Sequence, residues 1–234
     1  MIDRSLNYGR HLIEKFFLEI NQYESVVDLG AGSGADLMIA SRCSDGRARL
    51  SAIECYPPNV KALEEKQIEV FSLDVERDSL PFDSESVDVV IANQVLEHIK
   101  EIFWVFHECS RVLRNNGYMI VGVPNLASFH NRVMLFFGRQ PSPIKIHSAH
   151  VRGFTKHGFN KFLENTWPEG YELKSFAGSN YYPFPPVLAK PLAKLFPGSS
   201  AGSFFLLQKR RPYYDSFLKY PAVEELETNF YLGD

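Results

Sequence analysis

The segment Asp28-Leu29-Gly30-Ala31-Gly32-Ser33-Gly34 constrains this chain more than any other. A short apolar run, Ser25 to Leu29, leads straight into three glycines at alternate positions, and a helical pattern follows over about 34–42. Glycine adopts backbone conformations that a Cβ forbids, so such a cluster turns tightly and lets a ligand approach the backbone. The helix start beyond it offers free N–H groups and partial positive charge to an anionic ligand group. The spacing Gly30-x-Gly32-x-x-Ala35 also fits the dinucleotide fingerprint loosely, so the glycines alone leave the ligand open.

The surrounding pattern sets the fold class. Further strands are expected at Leu50–Ile53, Val70–Leu73, Val87–Ile91, Tyr118–Val123, Tyr171–Phe176 and Ser203–Leu207. Between them lie helical stretches: 10–20, with Leu12, Ile13, Phe16, Phe17 and Ile20 at helical spacing; one opened by Pro57-Pro58; about 99–114, stopped by Asn115-Asn116-Gly117; and 155–165. Strands alternating with helices imply right-handed βαβ units and a parallel sheet covered on both faces. With 234 residues the chain suits one α/β domain, expected over residues 1–211. Residues 124–152, with the amphipathic piece Leu126–Phe137, and the proline-rich 178–200 read as substrate-side insertions, the latter as a shaped loop. Residues 212–234 form a tail that is either a docked arm or a frayed end.

No apolar run approaches the roughly 18 residues that span a bilayer. The start Met1-Ile2-Asp3-Arg4-Ser5 lacks the basic and apolar parts of a secretory signal. Three cysteines, Cys43, Cys55 and Cys109, are an odd number without a Cys-x-x-Cys pair, so neither disulfides nor a zinc knuckle is indicated. A cytoplasmic, reduced protein is the expectation. The net charge of −3 hides an asymmetry: residues 1–108 hold 20 acids against 10 basic residues, and residues 109–214 hold 3 against 14. Between Glu108 and Glu164 there is no acid, while His130, His147, His150 and His157 fall there. This is either a solvated basic face or a field that draws in an anionic substrate or lipid surface. No basic-aromatic RNA signature accompanies it, so nucleic acid is not expected.

The companions of the glycine loop narrow its ligand. Glu54 ends the second strand, where a carboxylate can accept from both hydroxyls of a ribose. Asp74 ends the third strand and Asn93-Gln94 the fourth, so all lie on the rim where open α/β sheets bind ligands. The chain here resembles the class I S-adenosylmethionine (SAM)-dependent methyltransferases, in particular the small-molecule branch with the ubiquinone and menaquinone enzymes (methyltransferase type 11). The resemblance rests on Val27–Gly34, Glu54, Asp74, Leu80-Pro81-Phe82 and Phe82-Asp83-Ser84-Glu85-Ser86-Val87-Asp88-Val89-Val90. It continues in Asn93-Gln94-Val95-Leu96-Glu97-His98-Ile99 and Leu113-Arg114-Asn115-Asn116-Gly117-Tyr118. It covers residues 25–123 well and the C-terminal part more diffusely.

The resemblance implies a Rossmann-like fold, a seven-stranded, mostly parallel sheet with an antiparallel last strand. It implies SAM as cofactor and S-adenosylhomocysteine as product. Gly30, Ala31, Gly32 and Gly34 would cradle the aminoacyl end, and Asp28 would position the loop. Glu54 would hold the ribose, with Cys55, a buried neighbour rather than a reactive thiol, beside the adenine. Asp74 and Val75 would bind the adenine, Asn93 the aminoacyl end, and Gln94 would lie beside the methyl group. Transfer to a hydroxyl also needs a base, and His98, just after the fourth strand, is the candidate, with His130, His147 and His150 as rivals. No neighbouring Cys or acid completes a set of metal ligands around His130, His147 and His150, so no metal is expected. The expected function is methyl transfer, mainly to oxygen, on a small anionic or glycan- or lipid-linked acceptor. Two other readings remain: a SAM-binding scaffold without turnover, and a nicotinamide-dependent oxidoreductase.

Overall fold

The computed structural model describes residues 3–226. Seven strands form one sheet: β1 (Ser25–Leu29), β2 (Arg49–Ile53), β3 (Glu69–Phe71), β4 (Val87–Asn93), β5 (Leu113–Pro124), β6 (Tyr171–Ser179) and β7 (Gly202–Lys209). Their order is β3-β2-β1-β4-β5-β7-β6. The β1–β2, β1–β4, β2–β3 and β4–β5 pairs are parallel, and β7 runs antiparallel to both β5 and β6. Every residue of β1 and β4 is buried, as expected of central strands covered on both faces.

Alternation along the strands sorts the core into two layers. Val26, Ala52, Val89, Ile91, Ile120, Phe204 and Leu206 face α1 (Arg10–Ile20), α2 (Ala35–Cys43) and α3 (Pro57–Glu64). Val27, Leu29, Val90, Ala92, Met119, Val121, Phe205 and Leu207 face α4 (Ile102–Val112), α6 (Lys156–Thr166) and α8 (Ser216–Val223). The remaining helices, α5 (Phe129–Phe136) and α7 (Pro186–Leu195), lie in the two insertions. No helix among the described residues is long and apolar enough to cross a membrane.

Two local expectations need correction, and a third, left open between two alternatives, is decided. Helix α4 ends at Val112, and Asn115-Asn116-Gly117 already belongs to β5, whose register to β4 shifts between Val87 and Val89. Asn116 takes the left-handed conformation there (φ 64°), so the Asn-Asn-Gly signal marks an irregular strand entry rather than the helix stop. The proline-rich stretch is not wholly loop. Pro185 and Pro186 occupy the N-cap and first position of α7, where no N–H is needed, and Ala189 and Ala193 bury its inner side. The tail docks as far as it is described: Phe217 of α8 is fully buried among Phe106, Phe162 and Trp167. Residues 227–234 of that tail lie outside the described residues.

Candidate active site

The parallel strands deliver their carboxyl ends to one rim, and the glycine loop forms its centre. Gly30, Gly32 and Gly34 have φ of 61°, 54° and 81°, all in the left-handed region. Their surroundings differ. A Cβ on Gly30 would meet Val95 at 2.8 Å and one on Gly34 would meet Leu63 at 2.6 Å, whereas one on Gly32 would meet nothing within 4 Å. Gly30 and Gly34 are thus required by packing, and Gly32 borders open space. Ala31 is buried, its N–H and that of Gly30 both directed to the Ile53 carbonyl. Lys66 donates its ammonium to the Ser33 carbonyl and holds the loop from the α3 side.

Glu54 ties the rim together. One carboxylate oxygen accepts the Gly32 N–H at 2.8 Å and the Asn59 amide at 3.3 Å. The other accepts the N–H groups of Cys55 and Tyr56 at 3.0 and 2.8 Å. Asp28 is buried beneath the loop, and burial, with the nearby charges of Asp36 and Glu54, raises its carboxyl well above the ordinary range. Asp74 is half exposed and turns the chain after β3, accepting the Glu76 N–H at 3.0 Å, with Arg77 at 3.9 Å. Val75 packs against the core. Cys55 is exposed, a correction to the expected buried neighbour, because β2 has ended two residues before it.

Asn93 is engaged by groups that sequence reasoning missed. Its amide donates to Asp36 at 2.7 Å and to the Tyr8 carbonyl at 3.1 Å, while its Oδ1 is buried without a partner. Asp36 in turn faces Arg10 at 3.5 Å, and the Arg10 guanidinium lies over the Tyr8 ring. Burial raises the Asp36 carboxyl, against the Asn93 and Arg10 contacts that lower it. The only sequence signal for Asp36 is an acid in the first turn of the helix after the glycines. Gln94 adopts φ 60°, an unusual conformation for a side-chain-bearing residue, and its Nε2 is buried without a partner. Strain and unpaired polar atoms together at a strand end are typical of sites that take a ligand.

A second group sits where β4 leads into a 3₁₀ turn, Leu96–His98. His98 is exposed, its Nδ1 3.3 Å from the Ala149 carbonyl, and its ring meets that of His150 edge-on at 4.7 Å. Glu97 is buried, and burial pushes its carboxyl up to about 7. His130 instead pairs with Ser142 at 3.4 Å. His147 is exposed on the loop between α5 and α6. A cleft of about 940 Å³ lies at the opposite, amino edge of the sheet around Glu24, Arg47, Asp88 and Arg114. Asp88 there accepts the Ser25 N–H and pairs with Arg114 at 2.7 Å, so its charges are structural ties between β1 and β4–β5.

Comparison with known proteins agrees with this arrangement. Residues 27–121 match the methyltransferase domain family, a span that contains the glycine loop, Glu54, Asp74 and the β4 end. That match, with SAM-dependent methyltransferases among the relatives and structural neighbours, supports a class I SAM-dependent methyltransferase domain over these residues. Its cofactor is S-adenosylmethionine. The fold is that of the 1,6-didemethyltoxoflavin-N1-methyltransferase of Burkholderia thailandensis, solved with bound S-adenosylhomocysteine. The TM-score is 0.59 at 12% identity, over 89% of this chain and 80% of that one. In sequence, the domain is 31% identical over 147 residues to the ribosomal RNA large subunit methyltransferase G of Pseudoalteromonas translucida, covering 57% of this chain and 38% of that protein. It is also 31% identical over 100 residues to a Mycobacterium tuberculosis protein named "Probable S-adenosylmethionine-dependent methyltransferase", covering 43% of this chain and 35% of that protein. The chain thus spans little more than a third of the length of these curated relatives.

Proposed function

We propose that the chain is a SAM-dependent methyltransferase acting on an oxygen of a small anionic acceptor, glycan- or lipid-linked. The rim suits the cofactor. Glu54 sets its carboxylate on the open Gly32 loop, and Asp28, its pKa raised by burial and by the nearby Asp36 and Glu54 charges, lies close by. A ligand bearing an ammonium and a sulfonium is favoured, because a cation stabilises the ionised carboxylates. The pyrophosphate of a nicotinamide cofactor would meet repulsion there. When bound, the cofactor supplies a methyl group already activated by its sulfonium. Glu54 would accept from the ribose hydroxyls, Gly30 to Gly34 would receive the aminoacyl part, and Asp74 with Val75 would border the adenine. The protein's remaining tasks are alignment, for which effective molarity supplies roughly 7–11 kcal/mol, and removal of the acceptor proton, for which His98 stands at the β4 end.

The observation that carries the acceptor class is the surface of the two insertions. Helix α5, the loop after it and α7 expose Phe136, Phe137, Ile146 and Val187, the last two at 93% and 83%. Exposed Arg132, Arg139, Lys145, Lys190 and Lys194 interleave with them, and no acid lies in either stretch. Apolar side chains set among cations, without acids, favour an amphiphile with an anionic head. Much of the remaining positive charge is absorbed structurally: Arg111 pairs with Glu108, Arg114 with Asp88 and Arg210 with Glu172. The test is labelled-methyl transfer to phosphorylated, carboxylated and neutral glycans and lipids at low and high salt. Anionic acceptors should lead, and kcat/KM should fall with salt. Preference for neutral acceptors without salt dependence, or transfer to RNA alone, would overturn the acceptor reading. Tight cofactor binding with no transfer to any acceptor would favour a scaffold.

A further inference from the structure

The Glu97, His98 and His150 side chains converge although the last comes from an insertion more than fifty residues away. One ligand atom from each lies within 4.8 Å of the other two. The backbone holds the arrangement: the Glu97 carbonyl accepts the N–H groups of Val151 and Arg152, and Arg152 donates its guanidinium to the carbonyls of Ile99 and Lys100. The loop bearing His150 is thereby clamped onto the turn bearing Glu97 and His98. Both rings have Nδ1 against a backbone carbonyl, His98 on Ala149 at 3.3 Å and His150 on Pro143 at 2.8 Å. A carbonyl only accepts, so in these contacts Nδ1 is the donor and Nε2 is the nitrogen left to ligate. Metal-binding imidazoles are oriented in this way, one nitrogen donating to a carbonyl or carboxylate and the other free to ligate. The independent sign is Glu97: at 1% exposure its Oε2 has no hydrogen-bond partner. A buried carboxylate oxygen without a donor is costly unless a cation or a donor completes it.

The geometry points to a divalent transition-metal site, of the Zn²⁺ type, formed by Glu97, His98 and His150 beside the acceptor end of the methyl-transfer site. Two imidazoles and one carboxylate are the ligand set of open zinc sites, which keep a position for water or a substrate oxygen. An acceptor hydroxyl reaching that position loses its proton to solvent at lower pH than a free hydroxyl does. Its oxygen then attacks the methyl carbon. The O–C bond forms, the C–S bond breaks, and the electron pair stays on sulfur as the neutral thioether. This consequence rests on the methyl-transfer reading above, whereas ion binding stands on the three side chains alone, and it assigns His98 to the ion rather than to a free base.

The experiment titrates the chelator-treated, untagged full chain with Co²⁺ and Zn²⁺, reading Co²⁺ visible absorption and bound metal per chain, with S-adenosylhomocysteine affinity measured on the same samples. One ion per chain is expected, bound at least tenfold more weakly by His98→Gln and by His150→Gln, with cofactor-product affinity within twofold of the parent. Glu97→Gln should behave likewise, and His150, on the insertion loop, remains informative where the buried change fails to fold. No stoichiometric binding, or equal affinity in parent and variants, would overturn the site. Ligand-dependent Co²⁺ binding without S-adenosylhomocysteine binding would keep the ion and remove the methyl-transfer reading. Transfer rates unchanged by chelator would keep the ion and remove its role at the acceptor oxygen.

Discussion

The Glu54 carboxylate accepts the Gly32 N–H at 2.8 Å, joining the end of β2 to the one loop glycine whose Cβ position is open. A single acid thus shapes the loop and faces the space a nucleoside would fill. The pair makes the cofactor site testable without knowledge of the acceptor.

Glu54→Ala removes the carboxylate from Gly32 and from any ribose hydroxyls. Hydrogen bonds to charged groups are worth about 1.5–3 kcal/mol, so affinity for S-adenosylhomocysteine should fall roughly 10- to 150-fold. Isothermal calorimetry reads this directly, and an unchanged Kd would break the ribose assignment.

The glycines should separate in their response to alanine. At Gly34, φ 81° and the Leu63 methyl at 2.6 Å combine backbone strain with overpacking, for a loss of roughly 2–4 kcal/mol in stability. At Gly32 only the strain remains, about 1 kcal/mol, but the new methyl enters the cradle. Denaturant melts and cofactor titrations together should show Gly34→Ala mainly unfolding and Gly32→Ala mainly weakening binding. Equal effects on both readouts would contradict the division between packing and ligand-facing glycines.

Lys209 is fully buried, its ammonium donating to the carbonyls of Leu113 at 2.6 Å and Ser110 at 2.9 Å, with Glu85 at 3.4 Å. It closes the carboxyl end of α4 from the neighbouring strand β7, and burial lowers its pKa. Lys209→Met leaves those two buried carbonyls without their donor, at about 1–3 kcal/mol each, whereas Glu85, 45% exposed, is resolvated. A urea midpoint shift corresponding to less than about 1 kcal/mol, a typical net hydrogen bond, would show that water or Arg210 replaces it.

Tyr23 donates its hydroxyl to the Ala40 carbonyl at 2.7 Å, and burial pushes the phenol up to about 12. In the unfolded chain the phenol ionises near its ordinary 10.0. The native state therefore holds the proton longer. Stability from this group is complete below pH 10 and is lost as pH rises from 10 to 12, by at most about 1.4 kcal/mol per pH unit. Tyr23→Phe should be less stable at pH 8 through the lost hydrogen bond and show a flatter decline above pH 10. Parallel pH profiles for the two proteins would contradict the assigned burial.

Local patterns carried most of the scaffold. The seven strands, the glycine turn and helices α1 to α4 and α6 follow from apolar runs, helical spacing and breakers, because each depends mainly on residues near it in the chain. The same signals failed where prolines were read as loop: Pro185 and Pro186 open α7 at positions that need no N–H, a distinction made by where the helix begins.

The rim residues divide along the same line. Asp28, Gly30, Gly32, Gly34, Glu54 and Asp74 were visible in the sequence because a strand end must place them at the sheet edge whatever surrounds them. Tertiary packing alone decided that Asn93 meets Asp36 and Tyr8, that Arg10 reaches Asp36, and that Glu97, His98 and His150 come together. Apart from the adjacent Glu97 and His98, the groups that meet lie far apart in the chain, and no local energy term favours their contact. Two features select the partners. The sheet order brings β1, β4 and β5 side by side, and backbone hydrogen bonds from Val151 and Arg152 to Glu97 fasten the insertion over the end of β4.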